Sequence, residues 1–186
     1  MYQKLIHIIW IAFIPLHVWS QQNEINENKE GTKGAHRLTT GLGHTHIAKG
    51  KDIEGEKVWL LEPSWSFNYD YRISNKWAVG LQTDLVLEKF IVEDEEGGDI
   101  EREKPWAVIP VAMFKPFKHF SFIAGTGIEF EKKENMWLTR LGVEFGAELP
   151  KGWEAGIALV WDDKWGNYNS WALEFSFSKI FFKRRK

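Results

Sequence analysis

The chain has no cysteine in its 186 residues, so disulfides are excluded and so is a lipoprotein, whose anchor requires one. Its formal charge of −2 gives no reason to expect nucleic acid as a partner. Past the leading segment no apolar run approaches the roughly eighteen residues of a membrane-spanning helix. Aromatic residues, by contrast, are abundant: eleven Trp and thirteen Phe are many for a soluble domain of this size. They recur at the ends of segments in which every second residue is large and apolar.

The clearest such segment covers residues 58–91 and reads as a hairpin. On its first arm Trp59, Leu61, Pro63, Trp65, Phe67, Tyr69 and Tyr71 share one face, opposite Leu60, Glu62, Ser64, Ser66, Asn68, Asp70 and Arg72. On its second arm Trp77, Val79, Leu81, Leu85, Leu87 and Ile91 oppose Ala78, Gly80, Gln82, Asp84 and Glu88. Ser74, Asn75 and Lys76 between the arms leave room only for an antiparallel reversal.

Residues 1–20 read as a secretory signal peptide. Lys4 supplies a positive start, the apolar run from Leu5 to Trp19 is short for a span, and Val18 and Ser20 fit the cleavage preference, so the mature chain is expected to begin at Gln21. Residues 21–35 are polar, rich in Glu and Asn and without periodicity, and form a solvated leader. Eight strand candidates follow: 36–48, the two hairpin arms, 106–117, 120–131, 136–149, 153–161 and 168–182. Pro116 is expected to end the fourth, and Pro110 to mark a bulge in it. Short turns follow the second, fourth and sixth candidates. Longer charged connections, 49–57, 93–104, 132–135 and 162–167, follow the first, third, fifth and seventh. All short turns therefore fall at one end of an up-and-down meander. Residues 183–186 form a basic tail.

Volume decides which face looks inward. An eight-stranded barrel is just wide enough for side chains to fill. It cannot take in most of the tryptophans and phenylalanines, whereas the opposite face offers Gly80, Gly125, Gly127, Gly142, Gly146, Ser64, Ser66 and Ser121 mixed with charges. The apolar face therefore looks out, and only lipid stabilises that arrangement. At roughly 3.3 Å per residue and a tilt near 40°, the span from Trp59 to Tyr71 is close to 30 Å, about the height of an outer-membrane barrel's apolar band. Tyr69, Tyr71, Trp77, Phe120 and Trp153 fall near the short turns. Trp59, Trp106, Trp137, Trp161 and Trp171 fall near the long connections. These two sets read as interfacial girdles.

In this architecture residues 36–182 resemble the small eight-stranded outer-membrane β-barrel proteins of Gram-negative bacteria. The resemblance implies an all-β, antiparallel, up-and-down transmembrane barrel, monomeric, surrounded by outer-membrane lipid and lipopolysaccharide. It implies termini and short turns in the periplasm and long loops outside the cell. Members of that family usually finish on an aromatic residue read by the assembly machinery. Here Phe181 and Phe182 are followed by the basic tail, which is expected to be solvated or to touch periplasmic partners or anionic headgroups.

No motif assigns an activity, and no cofactor is expected. The inward face carries Glu62, Asp70, Asp84, Glu88, Glu129, Glu144, Glu148, Glu154 and Glu174 against fewer cations, chiefly Arg72 and Arg140, with Arg37 and Lys115 as further candidates. Unpaired charges in a narrow lumen are costly, so a polar network is expected in which Arg72 and Arg140 bridge Asp84, Glu129, Glu144 and Glu174. His44 and His46 share a face of the first strand and are candidate metal ligands together with Asp52 or Glu54. The main function expected is structural or surface-interacting. The alternative is a lipid A- or lipopolysaccharide-modifying enzyme using Ser170, His44 or His46, and Asp162 or Asp163. The connection 93–104 is expected to be an exposed acidic loop, mobile around Gly97 and Gly98 and available to divalent cations or basic surfaces.

Overall fold

A computed structural model describes residues 33–48, 50–51, 56, 60–93 and 97–181. The signal peptide, most of the polar leader, the basic tail, Trp59, Asp52 and Glu54 lie outside the described residues. The strands are β1 (His36–Ile47), β2 (Gly50–Lys51), β3 (Leu60–Arg72), β4 (Trp77–Val86), β5 (Lys89–Glu93), β6 (Asp99–Glu103), β7 (Trp106–Phe114), β8 (Phe120–Phe130), β9 (Met136–Leu149), β10 (Trp153–Lys164) and β11 (Asn169–Phe181). Eight of them close a barrel in the order β1-β11-β10-β9-β8-β7-β4-β3. Every neighbouring pair is antiparallel, and β1 closes the ring by pairing with both β3 and β11.

Alternation is what makes these segments strands of a barrel. On β3, Trp65 and Phe67 are 52% and 57% exposed while Ser64 and Ser66 are 3% and 2% exposed. The same split runs round the ring: Leu42, Leu81, Phe122, Leu141, Ile157 and Phe175 point out, and Arg37, Gln82, Ser121, Arg140, Glu154 and Glu174 are buried. A wall whose outside is this apolar is stable only in lipid, and closure leaves it no unpaired edge there. The turns need little chain. Ser74 Oγ accepts hydrogen bonds from the backbone N–H groups of Lys76 and Trp77 at 3.3 and 3.0 Å, and a single turn, Pro150–Gly152, reverses β9 into β10.

Two expectations need correction. The second arm of the hairpin does not run on to Ile91: β4 ends at Val86. Beyond it Phe90 and Val92 are large and apolar at the inward phase, where a continued strand would force them into the lumen. Instead β5 leaves the barrel wall, pairs with β6 and β2 in a small separate sheet, and packs over the long-connection end. Phe90 and Val92 are buried there against Ile47, Met136 and Tyr168. Much of the acidic connection is thus a folded hairpin. Pro110, the second case, marks no bulge. The β7–β8 ladder pairs Val108 with Ile128 and Val111 with Gly125, so pairing skips Ile109 and Pro110 without any change of register. Proline lacks the N–H the ladder needs. Opposite the neighbouring Ile109, a Cβ built on Gly127 would lie 2.7 Å from the Ile109 Cα, so glycine lets the two backbones come this close.

Candidate functional site

The lumen is the one place where chemistry-bearing side chains of the described residues converge, and its charges lie in levels. Nearest the short turns, Arg37 of β1 reaches across four strands. Its Nε donates to Asp70 at 2.7 Å, its Nη1 to Glu154 at 2.8 Å and also to Glu144, and its Nη2 to Glu144 at 3.1 Å. Arg72 and Lys115 line the mouth beside it. Lys115, just past the end of β7, is held below the ordinary lysine value by burial and then by the charge of Arg72. In the middle, Ser66 donates to Glu174 at 2.9 Å, and Thr39 and Ser178 share a hydrogen bond of 2.8 Å.

Arg140 of β9 organises the next level. Its Nε and Nη2 grip both oxygens of Asp162 at 2.7 Å, its Nη1 donates to Gln82 at 3.1 Å, and its Nη2 also meets Asp84. Such forked pairing gives strength and fixed geometry together. The uppermost level belongs partly to the small sheet. Arg102 of β6 is fully buried and donates to Glu129 at 2.7 Å and to the carbonyl of Glu134 at 2.7 Å. Tyr168 donates to the same Glu129 at 2.7 Å, and Lys164 bridges Glu129 and Asp162 at 3.7 Å each. Burial, and then the charge of Glu129, pushes the Tyr168 hydroxyl well above its usual range, so it remains a donor. Above these charges sits the apolar cluster of Ile47, Phe90, Val92, Met136 and Tyr168.

Cavities along the lumen have volumes of about 30, 30 and 10 Å³. A cavity of that size holds a water or two and no organic ligand.

Asp84, Arg140 and Glu129 thus lie in the upper levels, Glu174 in the middle and Glu144 below. Arg72 lies at the rim, and the cation that bridges the acids there is Arg37. Sequence reasoning also missed Arg102, because the connection carrying it was read as exposed loop. Its signal was the alternation Ile100, Arg102 set against Phe90, Val92. His44 and His46 both project from the outer face of β1. His46 is buried, with Nδ1 3.0 Å from the carbonyl of Leu60 and its ring 5.1 Å from that of Trp171. Among the described residues no group of three or more His, Asp or Glu has metal-binding geometry. The enzyme candidates are not brought together either. Ser170 and Asp162 are buried on the lumen side, Ser170 bonded to Lys164 and Asp162 to Arg140, while His44 and His46 face outward.

In the acidic hairpin the described carboxylates already have partners. Lys51 pairs with Asp99 and Glu93, Lys89 and Lys133 with Glu101, and Lys132 with Glu103.

No protein-family model matches the chain, and no curated protein matches it. Among solved structures it is similar to Ail, the attachment invasion locus protein of Yersinia pestis, in complex with the heparin analogue sucrose octasulfate. The two share 14% identity over 78% of this chain and 99% of that one, with a TM-score of 0.51. The outer membrane protein OprG from Pseudomonas aeruginosa aligns at 12% identity over 81% of this chain and 98% of its own, TM-score 0.49. Neisserial surface protein A aligns at 11% over 80% and 100%, TM-score 0.48. At such identities the likeness to Ail establishes the fold. The chain is a closed eight-stranded antiparallel barrel with an apolar outer face, the fold of the small outer-membrane barrels.

Proposed function

We propose that this chain is a closed outer-membrane barrel with a structural or surface-interaction role, acting as a monomer in contact with outer-membrane lipid and lipopolysaccharide. In this reading the short turns and both termini lie in the periplasm, and the β2-β5-β6 sheet and the long connections lie outside the cell. The observation that carries the closed reading is the stacking of Arg37, Arg140 and Arg102 along the lumen beneath the apolar cluster around Phe90. A path for ions or solutes would have to break all of these at once. The separation of Ser170 and Asp162 from the two histidines gives no support to a lipid-modifying reaction.

Three measurements test this. Purified protein in planar bilayers is expected to give no steady conductance, and a stable open level would overturn the closed reading. An epitope inserted at Gly97, an exposed glycine in the β5–β6 connection, is expected to be labelled on intact cells. Labelling only after the outer membrane is breached would invert the orientation. Lipid A of unchanged mass with and without the gene completes the picture, and a mass difference would restore the enzyme reading.

A further inference from the structure

The two rims of the barrel treat their lysines differently. On the long-connection rim Lys51, Lys89, Lys132 and Lys133 are each matched to a carboxylate of the small sheet. Of the lysines on the short-turn rim, Lys33, Lys76, Lys151 and Lys179 form no ion pair with a carboxylate among the described residues. They are set among lipid-facing aromatics. Lys76 adjoins Trp77, which is exposed. Lys179 occupies the outward phase of β11 between Phe177 and Phe181, both exposed. Its Nζ lies 5.0 Å from the centre of the Trp153 ring and donates to the carbonyl of Lys151. A lysine on the lipid side of a strand, with its stem along a tryptophan and its ammonium at the strand end, sits at headgroup depth.

We propose that the short-turn rim is a binding surface for the phosphodiester headgroups of anionic phospholipids. Charge complementarity supplies the attraction, and position selects the occupant. A soluble anion at Lys179 would have to enter the aromatic belt, whereas a headgroup is already there. An open depression of about 380 Å³ lined by Lys33, Ser74, Asn75, Lys76 and Trp77 offers one seat, with two ammonium groups and short polar side chains around it. The proposal needs only a lipid-embedded barrel and is independent of which side of the membrane the short turns face.

The full chain, refolded into phosphatidylcholine vesicles, would be probed by electron spin resonance with spin-labelled phosphatidylglycerol and spin-labelled phosphatidylcholine. The native chain is expected to hold phosphatidylglycerol about fivefold or more over phosphatidylcholine at low salt, since a basic residue near an anionic surface contributes about 1 kcal/mol. The preference should collapse at about 0.5 M salt. K33Q/K76Q/K151Q/K179Q should abolish it, while K89Q/K132Q/K133Q on the other rim should leave it intact. Equal association of the two lipids with the native chain, or a preference that survives the four rim substitutions, would overturn the proposal. So would displacement of the lipid by millimolar glycerol phosphate or by soluble peptidoglycan fragments, which would assign the rim to a soluble anion. Should the fourfold variant fail to insert, K179Q alone must lower the preference, and an unchanged value there would equally refute it.

Discussion

The two walls of the lumen are built on opposite chemistry. Inward from β1 and β3 come Arg37, Thr39, Ser64, Ser66 and Asp70, while inward from β7 come Ala107, Ile109, Val111 and Met113, joined by Ile123 of β8 and Leu138 of β9. The walls meet where the Arg37 Nη2 lies 3.9 Å from the Met113 sulfur. An arginine that crosses a narrow barrel places a long apolar stem in the interior as well as a charge at its end, and the stem needs something nonpolar to lie against. A lumen lined with charge on every side would leave those stems unpacked and more groups to satisfy. One greasy wall lets a few cations gather the acids of several strands and keep water to isolated sites. The interior is therefore a core with a polar side, and β7 is apolar on both faces because it stands between lipid and that core.

The comparison breaks most severely at the lumen's charges. Arg140→Met leaves Asp84 without its arginine and Asp162 with only Lys164 at 3.7 Å, and removing one partner of a buried pair costs about 3 to 5 kcal/mol. Unfolding midpoints in urea and lipid vesicles should fall accordingly, and adding Asp84→Asn and Asp162→Asn should recover part of the loss. On the lipid face, Leu81→Arg and Phe145→Arg each set a charge in the bilayer at about 2 to 4 kcal/mol and should block assembly. Normal heat-modifiable migration of both variants would refute the facing. The apolar wall is tested by Ile109→Ala, expected to cost about 2 kcal/mol, the low end of its class, because a lumen with polar groups nearby can admit water to the gap. No measurable change there would mean the wall is not packed. Ser121→Ala, inward and small, should shift the midpoint by less than about 0.5 kcal/mol.

Most of the barrel was legible because lipid imposes strict alternation. From Trp65 to Tyr71, and again from Leu141 to Phe145, the outward residue is always apolar or aromatic, so strand ends fell within a few residues of those observed. Where the rule loosens, reading failed. Leu85 and Leu87 keep one phase while Phe90 and Val92 take the other, and that change of phase is what turns β5 out of the wall. The polar interior was legible as composition but not as pairing. Arg37 and Arg72 lie one inward position apart on adjoining strands, the register placing Arg37 opposite Asp70, and the alternation treats them alike. Only the closed ring reveals that Arg37 reaches Glu144 and Glu154 on the far side.

The seam between β1 and β11 has a consequence in time. His36 pairs with Phe181 and Ile47 with Ser170, so the strand that leaves the ribosome first waits for the last before the ring can shut. Until then two rows of peptide groups face hydrocarbon unpaired, at several kilocalories per group, and no shorter piece of the chain offers a resting place. Insertion should accordingly behave as an all-or-none event with a slow, high-contact-order closing step. A chain truncated before β11 should accumulate at the membrane surface rather than as a smaller barrel. Holding proteins that keep it soluble until synthesis is complete would be needed for yield, while the final stability is set by the chain alone.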